Sequence, residues 1–217
     1  MQRRQIINRM ARVKIQERAE SDQKLIIGYS AVFYRENEPD TQYALWSDYF
    51  ERLMPGCFDR ALNEGHDARA LFNHDSSNLL GRVSAGTCKL EVDDIGLRFE
   101  VPIDANDPDH QRVVSKINRG DLSGCSFAFN NASSDWEELN KDGETIWIRK
   151  ITDLDLFDVG PVTWPAYEAT EVGVRTAVHD AASLAEARSA MQAHRSEVEN
   201  HRLGLSIAVN SRCTELD

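Results

Sequence analysis

Gly124-Cys125-Ser126-Phe127-Ala128-Phe129 sets small and bulky side chains in alternation. Neighbouring side chains in a strand point to opposite faces, so Cys125, Phe127 and Phe129 share one face. Leu122, Gly124, Ser126 and Ala128 share the other. The bulky row belongs in a core. The small row leaves an open surface beside the Ser126 hydroxyl, a place where the backbone of another chain can lie. A period of two bounded by turn residues is the mark of a sheet protein.

The same pattern extends outward from Lys24 to Tyr167, as short alternating or apolar runs broken by turns, and predicts an antiparallel sheet system. The expected strands are 25–33, 44–53, 69–74, 87–92, 97–103, 124–130, 145–149 and 151–162. Asp93-Asp94-Ile95-Gly96 and Lys141-Asp142-Gly143 read as hairpin turns, because Asp and Gly tolerate the backbone angles such turns require. Two helices are expected among the strands. One follows Pro55-Gly56, with Phe58, Ala61 and Leu62 on one face and Gly65 as its stop. The other opens at Asp107-Pro108, aligns Val113, Val114 and Ile117, and closes at Gly120, with His110 as an exposed bystander in its first turn. Residues 181–202 are rich in Ala, Glu, Arg and Leu and lack Gly and Pro, which predicts a helix detached from the sheet; 203–217 read as loosely ordered. The chain thus divides into a basic N-terminal arm (1–24), a sheet domain (25–176) and a helical C-terminal tail (177–217).

At 217 residues, with 41% hydrophobic and 28% charged residues, the chain can build a packed core, and wholesale disorder is excluded. No apolar run approaches the ~18 residues of a membrane span, and no apolar stretch backs Arg3, Arg4 and Arg9 as a secretory signal requires. Cys57, Cys88, Cys125 and Cys213 are scattered without metal-ligand or disulfide spacing, so neither a zinc site nor a disulfide framework is expected and a reducing compartment fits. The net charge is −11, although residues 1–24 hold seven Lys/Arg against three acids. A body that acidic repels phosphate backbones, which argues against nucleic acid as a partner. The basic arm reads as a flexible solvated tail.

Three segments can carry chemistry. In Ala70-Leu71-Phe72-Asn73-His74-Asp75, His74 ends a row with Ala68, Ala70 and Phe72; a core histidine and a catalytic one are both open readings. In the quoted strand, parity separates two candidate nucleophiles: Cys125 lies with the phenylalanines as a buried thiol, and Ser126 faces the small row. In Leu154-Asp155-Leu156-Phe157-Asp158-Val159, Asp158 falls on the row of Leu154 and Leu156, opposite Asp153 and Asp155. A carboxylate on an apolar row needs a partner. An imidazolium is one candidate and an arginine the competing one. A Ser, a His and an Asp together are what nucleophilic acyl transfer requires.

These residues, in order, resemble the prohead maturation proteases of tailed bacteriophages. The resemblance rests on Phe72-Asn73-His74-Asp75 with Leu80-Gly81-Arg82, then Gly124-Cys125-Ser126-Phe127-Ala128-Phe129, then Asp158-Val159-Gly160-Pro161-Val162-Thr163-Trp164-Pro165-Ala166-Tyr167, and on Met54-Pro55-Gly56-Cys57-Phe58 upstream. It covers about residues 25–176.

The resemblance implies a mainly β (α+β) fold, an antiparallel β-barrel flanked by helices, similar to the herpesvirus assembly proteases. It implies a serine endopeptidase working without metal or cofactor inside the assembling procapsid, in the bacterial host's cytoplasm. Its expected substrates are major capsid protein and scaffold segments, with self-association and self-cleavage as further expectations, and no membrane partner. It carries the base role to His74 and the nucleophile role to Ser126, with Asp158 as the orienting acid. Two departures stand out. The family's Ser-Phe-Gly-Phe is here Ser126-Phe127-Ala128-Phe129, and its Glu before Val-Ser is here Asp158 before Val159-Gly160, one methylene shorter in reach. The rival reading is an inactive scaffold or assembly chaperone that keeps the fold to bind capsid subunits. A cysteine protease through Cys125 is disfavoured by parity.

Overall fold

A computed structural model describes residues 13–17, 23–46, 48–141, 143–165, 189 and 191–200. The chain divides into two units, Met1–Gly173 and Val174–Asp217. In the second, residues 191–200 are helical, inside the stretch expected to form a helix; the remainder of that stretch and the expected loose end lie outside the described residues.

The first unit is mainly β. Its elements run β1 (Lys14–Glu17), β2 (Lys24–Val32), β3 (Tyr43–Trp46), β4 (Tyr49–Leu53), α1 (Asp59–Asn63), β5 (Arg69–Leu71), β6 (Leu79–Arg82), β7 (Lys89–Val92), β8 (Gly96–Pro102), α2 (Pro108–Arg119), β9 (Gly124–Lys141) and β10 (Glu144–Val162). One sheet has the order β1-β2-β8-β7; the other has the order β3-β4-β10-β5-β6, with β9 also paired to β10. Backbone bonds tie the two together at Tyr34 N–H to Leu53 O (2.9 Å) and Val13 N–H to Ser123 O (3.0 Å). No pairing that closes the strands into a ring is found among the described residues.

The second sheet is mixed where a wholly antiparallel one was expected. β4 and β5 both run parallel to β10. The reason is the connection: α1 carries the chain from β4 to β5 without a hairpin reversal, so both lie along one edge of β10 while β9 takes the other. Residues 14–17, inside the expected solvated arm, are also structured. They form β1 on β2, and Val13 is buried.

The core lies between the sheets, where the bulky face of β9 meets α1. Phe127 stacks on Phe129 (5.3 Å between ring centroids) and meets Phe58 edge-on (5.7 Å), and Phe58 in turn touches Phe33 (6.0 Å). Cys125, Phe58, Phe99, Leu97 and Val101 have no measurable exposure. Farther along β10, Arg149 is buried and paired. Its Nη1 lies 3.0 Å from Glu51 Oε1, its Nε donates to Ser134 Oγ at 2.7 Å, and Tyr49 bonds Glu51 at 3.3 Å. Desolvated charges of this kind persist only when paired and hydrogen-bonded.

α2 has the expected ends. Asp107 accepts from Asp109 N–H at 2.8 Å, Pro108 follows, and Gly120 closes the helix at φ 80°. His110 is buried, contrary to its reading as an exposed bystander. Its Nδ1 accepts from Asp104 N–H at 3.0 Å and its Nε2 donates to Leu80 O at 2.8 Å, so the ring fastens α2 to β6.

Candidate active site

The site forms where β10 passes between β9 and the end of β5. On one edge of β10, Gly160 faces Ser126 and Asp158 faces Ala128. Residues directly opposite in an antiparallel pair point to the same side, so Ser126, Ala128, Asp158 and Gly160 share a face. Cys125, Phe127 and Phe129 face Pro161, Val159 and Leu156 on the core side. The Ser126 and Asp158 positions are one same-face step apart along the strands, about 7 Å.

The shared face depends on a bulge. Leu156 pairs with Phe129 and Asp158 with Ala128, so Phe157 is an extra residue with no partner in the ladder. Strict alternation put Asp158 on the row of Leu154 and Leu156. The inserted residue reverses the parity, leaving Leu154 and Leu156 in the core, Phe157 half exposed and Asp158 on the serine's face.

His74 arrives from the other edge of β10. Arg69 and Ala70 pair with Asp158 and Val159, and Asn73 N–H donates to Pro161 O at 3.0 Å. β5 ends at Leu71, three residues short of the expected strand end, because Asn73 (φ 58°) and His74 (φ 55°) are both left-handed. Only a few per cent of non-glycine residues adopt this region. The double turn swings the imidazole back over β10, where Nδ1 meets Asp158 Oδ1 at 2.5 Å, both side chains being buried to nearly nine-tenths or more. Arg69, the arginine that lies opposite Asp158 on β5, directs its guanidinium to Asp67 and not to Asp158.

Gly160 makes this approach possible. A Cβ there would stand 2.1 Å from Leu71 O. Gly124 plays a similar part beyond the serine, since a methyl on it would lie 2.9 Å from the ring of Pro165. Between these glycines Ser126 is only 2% exposed, so its hydroxyl does not lie on the open surface that the small row suggested. Trp164, in the turn after β10, is 75% exposed.

Cys125 is fully buried, and desolvation pushes its thiol far above the ordinary value, away from the thiolate a cysteine nucleophile needs. Asp153 and Asp155 point away from the site to Arg60 of α1, each at 2.7 Å. Asn131 and then Arg60 hold the Asp155 carboxyl below its usual range. Among the described residues, no three His, Cys, Asp or Glu side chains are grouped to hold a metal ion, and no helix is long and apolar enough to cross a membrane.

Sequence reasoning gave no role to Asn73 or Gly160. Each carried a signal: a residue tolerant of left-handed backbone beside the histidine, and a glycine within a strand, which marks close backbone approach. The family model for the caudovirus prohead serine protease matches residues 11–184. No curated protein and no solved structure matches the chain.

Proposed function

The chain belongs to the caudovirus prohead serine protease family, and on that premise we propose that it is an endopeptidase with Ser126 as nucleophile, His74 as base and Asp158 as orienting acid. The observation that carries the assignment is the 2.5 Å contact between His74 Nδ1 and Asp158 Oδ1, over the face of β10 and β9 that Ser126 occupies.

With Nδ1 committed to the carboxylate, Nε2 is the nitrogen that serves the hydroxyl. Ser126 Oγ attacks the scissile carbonyl carbon and its proton passes to Nε2. The tetrahedral intermediate collapses, the carbon–nitrogen bond breaks, and His74 returns the proton to the leaving amine. Water then attacks the acyl ester by the same route and restores the serine. Asp158 keeps the imidazole in the required tautomer and offsets its positive charge while it holds the extra proton.

The substrates we assign are capsid-protein and scaffold segments inside the assembling procapsid, with a second copy of this chain as a further target. A fluorophosphonate probe followed by peptide mass mapping tests the chemistry, and coexpression with the cognate capsid protein tests the substrate. Ser126 is expected to carry the label, and capsid-protein cleavage is expected to vanish in Ser126→Ala. Cleavage that persists in that variant refutes the assignment.

A further inference from the structure

We propose that Asn73 is the positioning residue of this site, bolting the turn that carries His74 to the end of β10; the inference rests on the protease reading above. Two left-handed residues in succession are strained and persist only where their surroundings enforce them. Asn73 supplies the enforcement from both its backbone and its side chain. Its N–H donates to Pro161 O at 3.0 Å, and its Oδ1 accepts from Thr163 N–H at 2.7 Å. The donor is a backbone amide, which settles which end of the carboxamide faces it.

These bonds grip the chain just beyond Gly160, at Pro161 within β10 and at Thr163 immediately after it. The His74–Asp158 bond grips it on the near side, so the turn is held on both flanks of the point that faces Ser126. Asparagine suits the position twice over: it is one of the few side chains that visit the left-handed region readily, and its amide reaches a neighbouring strand. Asn73 itself is exposed, so replacing it removes the bolt without opening the core. The same bond fixes the start of the Thr163-Trp164-Pro165 turn, so one side chain locates both the base and the wall beyond the serine.

Three variants separate backbone tolerance from the bolt. Asn73→Gly keeps left-handed freedom and loses the acceptor, Asn73→Asp keeps both, and Asn73→Ala loses both. Two readouts are taken on the full chain: the rate of fluorophosphonate labelling per folded molecule, and the low-field proton resonance of His74 Nδ1–H, assigned by its absence in His74→Gln. Asn73→Gly and Asn73→Ala are expected to label at least tenfold more slowly and to lose or shift the resonance. Asn73→Asp is expected to label within about threefold of wild type and keep the resonance. An Asn73→Gly protein with wild-type labelling and an unmoved resonance overturns the inference. If wild type takes no label at Ser126 while the resonance responds to the variants as expected, the protease reading fails and the positioning role stands.

Discussion

Alanine at position 160 sets a methyl in the gap across which the site is assembled. Its carbon would begin 2.1 Å from Leu71 O. Carbon–oxygen contacts settle near about 3.3 Å, so the end of β5 and β10 must part by about 1.2 Å. Gly160 also has φ 149°, a conformation that costs an L-residue about 1–3 kcal/mol. Adding about 1–3 kcal/mol for overpacking gives about 2–6 kcal/mol of lost stability, a fall of roughly 4–24 °C in Tm for a protein of this size. The functional loss has a separate cause. Leu71 leads directly into Asn73 and His74, so the parting carries the imidazole away from Ser126, and a displacement of about 1 Å at a reacting group costs about 10²-fold. Gly96→Ala is the control. Its methyl would meet Ala31 O at the same 2.1 Å, at φ 158°, in the other sheet. Labelling by a fluorophosphonate is measured below both melting temperatures and normalised to folded protein. Both variants are expected to melt early, and only Gly160→Ala to label slowly. Equal rates in the two variants, slowed or not, would refute the reasoning.

Ser126→Ala and His74→Ala are each expected to lower capsid-protein cleavage by roughly 10⁴-fold or more, Asp158→Ala by less, and Cys125→Ser to leave turnover largely intact; a cleavage time course on each variant measures this. Removing one member of the buried Arg149–Glu51 pair, as in Glu51→Ala, is expected to cost about 3–5 kcal/mol in urea unfolding, with labelling per folded molecule unchanged. The Asp67 carboxyl is held low chiefly by Arg82, that of Asp75 by Ser77, and that of Asp155 by Asn131. A depressed folded value gives stability that is present above the unfolded carboxylate range, about pH 4, and is lost as pH falls through the folded values. Melting curves from pH 6 to pH 2 are therefore expected to drop below about pH 4, less steeply in the Asp67→Asn, Asp155→Asn double variant. Self-cleavage is expected after Arg175, and intact-mass spectra of wild type beside Ser126→Ala check it: a tail that stays whole in the active protein under capsid-assembly conditions excludes it.

Much of the site is legible in the residues themselves. Alternation along 124–129 separates Ser126 from Cys125, and the structure places them on opposite faces because the pleat of a single strand is a local property. The ends of α2 and the turn at Asp93–Gly96 follow from side chains within a few residues of the bonds they make. Parity fails where the partner strand intervenes. The expected strands 145–149 and 151–162 are one strand, and its register shifts, the last at Phe157, answer to β9 rather than to any pattern in β10. That last shift turns Asp158 from the core row to the serine's face. His74 departs from its expected row for a similar reason, since its left-handed turn is held by bonds to Pro161 and Thr163, nearly ninety residues away. Residue types and short-range patterning are enough to nominate the candidate groups and the local elements that carry them. The placing of those groups is not legible there, because register, bulges and close approach at Gly160 are set by contacts between strands far apart in the chain.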